Sequence, residues 1–140
     1  MARTTFTGPV VSKNSFVDGH ATTAAINATG TATAAQVATG YITSTSAAAT
    51  TITLPTGTLL GTALGATQGT VLDLYIDNTA GASTVTIAVA TNGVLSTGAV
   101  DAAAAAGTFG DLTIASGATG LARFTIMFSS ATAYAFTRTA

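Results

Sequence analysis

Apolar residues recur at every second position over much of this chain. From Thr70 to Ala90 the sequence reads TVLDLYIDNTAGASTVTIAVA. Leu72, Leu74 and Ile76 fall on one side of an extended strand, with Val71, Asp73, Tyr75 and Asp77 on the other. Val85, Ile87 and Val89 alternate in the same way with Thr84, Thr86, Ala88 and Ala90. With a short Asn/Gly-bearing link between them, the two runs predict a β-hairpin. A second strong pattern lies near the C-terminus. Leu121–Ser129 (LARFTIMFS) lines up Phe124, Ile126 and Phe128 against Arg123, Thr125 and Met127. Ala133–Thr139 then places Tyr134 and Phe136 on one face, which predicts a terminal hairpin turning through Ser129–Thr132.

The weaker segments fill in around these. Thr50–Leu54 alternates and stops at Pro55, and Asp111–Ala115 alternates with Leu112 and Ile114 inward. His20–Ala49 is rich in Ala, Thr, Ser and Gly. Its β-branched Thr residues with Gly30 and Gly40 oppose a long helix, so two weak strands are expected near Thr31–Thr39 and Tyr41–Ser46. Thr58–Gly69 spaces Leu60 and Leu64 for a turn or two of helix, a lid on the core that Gly61 and Gly65 weaken. Asn92-Gly93 signals a turn, followed by a short strand within Val94–Val100. Asp101–Gly107 reads equally as one helical turn or as an Ala loop. About eight short strands with polar, Gly-bearing turns predict an all-β fold, an antiparallel β-sandwich of jelly-roll type, over residues 20–140.

Residues 1–19 stand apart. Gly8-Pro9 breaks regular structure, yet the segment carries Phe6, Pro9, Val10, Val11, Phe16 and Val17. Each large apolar side chain left in water forgoes about 1.5–3 kcal/mol of burial. The segment therefore reads as an extended arm laid on its own domain or on a neighbour, and these six residues are the candidate interface.

Composition narrows the functional classes. Charged residues make up 6% of the chain, against roughly 25% in an ordinary soluble domain. They are Arg3, Lys13, Asp18, Asp73, Asp77, Asp101, Asp111, Arg123 and Arg138. A net charge of −1 offers no basic patch for phosphates, so no nucleic-acid partner is expected. So little charge protects a lone domain poorly against association, which favours an obligate oligomer or a shell component. Mean hydropathy is +0.56, but no apolar run approaches the roughly 20 residues of a spanning helix. Aromatics are 6% without girdle spacing, so no membrane partner is expected either. Met1–Phe6 has no apolar signal region, and synthesis in a cytoplasm is expected.

Chemistry is sparse. With no cysteine and one histidine, disulfides and thiolate metal sites are excluded, and neither a catalytic set, a metal site nor a cofactor is expected. His20 has no partner nearby in sequence and reads as a bystander. Asp73 and Asp77 share a strand face but stand about 13 Å apart, too far for one ion or one acid–base pair. Abundant Ser and Thr lack a base to activate them, so the chain does not read as an enzyme. Thr-x-Thr pairs at Thr31/Thr33, Thr43/Thr45, Thr51/Thr53, Thr84/Thr86 and Thr137/Thr139 could form a flat array that orders water, provided they stack. Their irregular spacing argues against stacking.

One resemblance adds to this picture. The opening MARTTFTGPVVSKNSF resembles the start of small virion proteins of tailed bacteriophages. The block from Thr51 to Leu95 and the closing ARFTIMFSSATAYAF resemble the core of the same proteins. The resemblance implies a capsid decoration (cement) protein: jelly-roll-like, often trimeric, seated on the outer capsid surface and bridging major capsid protein subunits. A tail-fibre or spike head that binds a receptor or glycan is the alternative, with Tyr41, Tyr75 and Phe109 as its aromatic candidates.

Overall fold

The computed structural model describes His20, residues 22–95 and residues 112–139. Strands β1 (Ala24–Ala25) and β2 (Gly30–Thr31) are followed by the short helix α1 (Ala34–Ala38). Strands β3 (Tyr41–Thr43) and β4 (Thr50–Thr53) with helix α2 (Gly57–Leu64) repeat that order. Strands β5 (Val71–Asp77) and β6 (Val85–Ala88) begin a third round, which returns as β7 (Gly93–Leu95). Strand β8 (Thr113–Ile114), a 3-10 turn at Gly117–Thr119, and strands β9 (Leu121–Ser130) and β10 (Ala133–Arg138) complete the described chain.

The strands form two sheets, one ordered β1-β3-β5-β9-β10-β7 and the other β2-β4-β6-β8. Within the first three rounds every pairing is parallel: β1 with β3, β3 with β5, β2 with β4 and β4 with β6. Strand β7 also joins β10 in parallel. Antiparallel pairing is confined to β5 with β9, β9 with β10, and β6 with β8. The fold is therefore mixed α/β with mixed sheets, and the expected all-β antiparallel jelly-roll sandwich is not what forms. The chain climbs as stacked coils, each laying one strand in either sheet, with α1 and α2 carrying it back.

The stretch Thr70–Ala90 shows where the sequence reading went astray. Strands β5 and β6 are no hairpin, because they belong to opposite sheets. Seven residues, Asn78–Thr84, separate them, longer than a tight hairpin turn and enough to cross the roughly 10 Å between packed sheets. Asn78, fully buried, holds this arch. Its Nδ2 donates to the carbonyls of Ser83 (2.8 Å), Ala115 (3.0 Å) and Ile114 (3.3 Å), and its backbone N–H donates to Gly120 (2.7 Å). This one residue, through side chain and backbone together, ties the crossing to β8 and to the turn before β9. Alternation of apolar and polar residues correctly assigned the buried faces. It carries no information on which strand lies alongside.

The helices have local causes. Thr33 caps α1 in a reciprocal box: Gln36 N–H donates to Thr33 Oγ1 (3.2 Å) and Thr33 N–H to Gln36 Oε1 (2.8 Å). This helix occupies most of the span expected as a weak strand over Thr31–Thr39. Thr56 caps α2, and Gly65 ends it in the left-handed region at φ 58°. Leu60 is buried as the lid reading expects. Gly57 and Gly61 are buried beneath the β9–β10 turn, where an added Cβ would overlap the carbonyl oxygens of Thr132 and Ala131. These glycines weaken the helix locally but permit its close approach.

The terminal hairpin forms as predicted, pairing Phe128 with Tyr134 and Ile126 with Phe136. Phe124 stacks on Phe136 with centroids 4.8 Å apart, and Phe128 meets Tyr134 at 5.7 Å. Ile42, Leu74 and Ile76 extend this inner face within the same sheet, and Ile52, Ile87 and Ile114 face it from the other. The Tyr134 hydroxyl donates to the Pro55 carbonyl at 2.9 Å, and burial pushes its pKa up to about 12. The segment Asp101–Gly107 lies outside the described residues.

Candidate functional site

The two sheets turn very different faces outward. On the six-stranded sheet, β5 presents Val71, Asp73, Tyr75 and Asp77 in a line. Register places Tyr41 beside Tyr75 on one flank and Arg123 beside it on the other. Asp73 lies opposite Thr125, whose hydroxyl donates to Asp73 Oδ1 at 2.9 Å. The Tyr41 hydroxyl donates to Asp77 Oδ2 at 2.8 Å. Asp77 Oδ1 accepts from both the backbone N–H (2.9 Å) and the hydroxyl (2.6 Å) of Thr79. Those Thr79 bonds, side chain first, hold the Asp77 carboxyl below its usual value. The same carboxylate, with burial adding to it, raises the Tyr41 phenol above its own.

His20 completes this patch. Its ring centroid lies 5.8 Å from Tyr41 and 5.6 Å from Tyr75, while the two tyrosine rings stand 6.4 Å apart at 27°. The His20 Nδ1 is 2.9 Å from the Thr39 carbonyl, and Gly40 beneath leaves room for the imidazole. Sequence reasoning treated His20 as isolated. Its neighbours come from strands far along the chain, and only the parallel β3–β5 register brings them together. Val71 and Met127, also register partners, are each about half exposed at the far end of this face.

The four-stranded sheet turns out hydroxyl and methyl groups. Thr51, Thr86 and Thr113 stand side by side across β4, β6 and β8. Thr31, Thr53 and Ala88 form a second row across β2, β4 and β6. Thr29 extends the first row, its hydroxyl accepting from Thr51 N–H at 3.1 Å. Of the Thr-x-Thr pairs picked out in the sequence, only Thr51/Thr53 places both residues in these rows: Thr33 caps α1, Thr84 precedes β6, and Thr43 and Thr137 lie on strands of the other sheet. All four charged residues among those described, Asp73, Asp77, Arg123 and Arg138, belong to strands of the six-stranded sheet. Arg138 is buried, reaching the Thr113 carbonyl at 3.2 Å.

The six arm residues Phe6, Pro9, Val10, Val11, Phe16 and Val17, and the aromatic candidate Phe109, lie outside the described residues. Among the described residues no group of three His, Cys, Asp or Glu side chains is placed to hold a metal ion. No described helix is long and apolar enough to cross a membrane. No family model matches the chain, and neither a curated protein nor a solved structure matches it.

Proposed function

We propose that this protein is a non-enzymatic structural component of a tailed-bacteriophage virion, a capsid decoration protein that seats on the outer capsid surface and bridges major capsid protein subunits. The observation that supports this reading is the outer face of the four-stranded sheet, whose described residues are Thr and Ala without a charged side chain. Docking such a face removes few strongly hydrated groups from water, so little desolvation opposes close packing. Self-association into a trimer and attachment to the capsid protein both use surfaces of this kind. The arm, residues 1–19, spreads the contact over a neighbour. Stable interfaces of this class bury about 2,000 Å² or more in total, which suits a passive brace against packaged DNA.

Mass spectrometry of purified particles tests the proposal. Hundreds of copies per particle are expected, and absence from the particle overturns it. Deleting residues 2–18 should weaken capsid attachment or trimerisation while the described fold persists. A tail-fibre or spike head is the second reading, favoured by the convergence of Tyr41 and Tyr75 on one outward face. Copy number separates the two, since a fibre contributes a few tens of chains at most.

A further inference from the structure

We propose that the outer face of the six-stranded sheet around His20, Tyr41 and Tyr75 is a binding site for an uncharged carbohydrate. The inference develops the aromatic convergence that favours the second reading, but it holds wherever on a particle the protein sits. A pyranose ring offers an apolar C–H face and a rim of hydroxyls. A site for it therefore needs aromatic surface with hydrogen-bond acceptors and donors beside it. The three rings supply the surface: two near-parallel tyrosines, with the imidazole inclined 40° to one and 63° to the other. The rim partners are already placed. Asp73 and Asp77 flank Tyr75 two residues away on either side, each about 7 Å along the strand. Arg123 stands across from Tyr75 on β9 and donates through Nε to Thr139 Oγ1 at 3.2 Å.

The arrangement is preorganised. Asp77 is fixed by three hydrogen bonds from Tyr41 and Thr79, and Asp73 by one from Thr125. Asp77 Oδ2 and both oxygens of Asp73 retain acceptor capacity for a sugar hydroxyl, because ionised Asp offers about four lone-pair sites and only those of Asp77 Oδ1 are both taken. Fixing these groups before binding removes part of the ordering cost that weakens most carbohydrate sites. Other ligand classes fit less well. Two carboxylates against one guanidinium disfavour phosphates and acidic sugars, and the carboxylates are too far apart to share a cation. The patch also lies on β3, β5 and β9, inside the sheet, where the backbone is already paired and cannot take up an added peptide strand.

Amide NMR of the full chain, titrated with cellotetraose, maltotetraose and chitotetraose, tests the site. At least one should give saturable shifts centred on Tyr41, Asp73, Tyr75 and Asp77 with a Kd near the millimolar range, and sialyllactose should bind at least tenfold more weakly. Tyr75→Ala should abolish the response, and Tyr75→Phe should retain it. The exposed Asp73→Ala, which leaves the rings in place, should weaken binding about tenfold, whereas Thr86→Ala on the opposite sheet should leave it unchanged. No saturable shift with any of the three oligosaccharides overturns the proposal, as does a response that survives both Tyr75→Ala and Asp73→Ala. The particle copy number is independent of this result, so the carbohydrate site and the decoration role can fail separately.

Discussion

The two sheets share a core but divide its materials and their exteriors. The four-stranded sheet faces inward with Ile52, Val85, Ile87 and Ile114, and outward with Thr and Ala. The six-stranded sheet puts Phe124, Phe128, Tyr134 and Phe136 inside, and gathers tyrosine, aspartate, arginine and histidine outside. Large aromatic side chains bury more area each than branched aliphatics, so the β9–β10 hairpin supplies a disproportionate share of the core contact. The difference teaches that a chain with little charge need not have a uniform surface. One face is cheap to cover with protein, and the other holds nearly all the groups able to recognise something polar.

Unequal anchoring of the sheets gives the largest expected effect. Phe124→Ala should cost about 3–5 kcal/mol in denaturant unfolding, whereas Ile52→Val should cost about 0.5–1.5 kcal/mol. The substitutions differ in size, so Ile52→Ala, at about 2–5 kcal/mol, is the stricter comparison. A loss from Ile52→Ala exceeding that from Phe124→Ala would reverse the ranking of the sheets.

Next comes the seat of α2. Ala is a better helix former than Gly by about 1 kcal/mol, so helix propensity alone predicts that Gly61→Ala stabilises. Its Cβ would instead collide with the Ala131 carbonyl, and overpacking of this kind costs about 1–3 kcal/mol or more. The expected outcome is a lower Tm. A higher one would show that α2 does not rest on the hairpin turn.

These elements also mark how far the sequence could be read. Phe124, Ile126, Phe128, Tyr134 and Phe136 were legible because alternation and bulk coincide and a short turn joins their strands. Thr33-x-x-Gln36 fits the capping-box pattern in front of Val37, a helix signal that the expectation of two weak strands, resting on the surrounding Thr and Gly, passed over. The parallel coils were not legible. Strand alternation is the same whether the next strand lies in the same sheet or across the core, and the cue that separates the cases is connection length. Seven residues between β5 and β6, with a buried Asn78 bonding to Ser83 within the connection and to the distant carbonyls of Ile114 and Ala115, meant an arch. His20 meets Tyr41 and Tyr75 only through that topology, so the polar face had no local signature. Arm residues such as Phe6 and Val10 lie outside the described residues.

Tyr134 links the sheets to a pH dependence. Tyr134→Phe leaves the buried Pro55 carbonyl without its donor and should cost about 1–3 kcal/mol near neutrality. Burial in the folded chain pushes the phenol up to about 12, against its ordinary value of 10.0. The native state thus keeps its proton where the unfolded chain loses it. Stability is fully present below pH 10 and falls as pH rises toward 12, by up to about 1.4 kcal/mol per unit. Denaturant midpoints measured across that range should fall for the native sequence, and the Tyr134→Phe variant should lack this contribution. Equal slopes would detach Tyr134 from the alkaline limb.

The smallest expected effect on stability is also the sharpest test of the contrast between exteriors. Thr86 sits in the middle of the hydroxyl row, between Thr51 and Thr113. Thr86→Lys exchanges a β-branched side chain for a poorer strand former, a change of less than about 1 kcal/mol. The ammonium, however, would enter a face whose described residues carry no charge, and covering that face would strip it of water with no carboxylate among the described outward neighbours. On the decoration reading, particles should bind this variant much more weakly than they bind Asp73→Asn, which alters the other face. Co-sedimentation of each purified variant with particles stripped of the protein measures the difference. If Thr86→Lys sediments like the native chain while Asp73→Asn is left in solution, the charged and aromatic face is the one that docks, and the roles assigned to the two exteriors exchange.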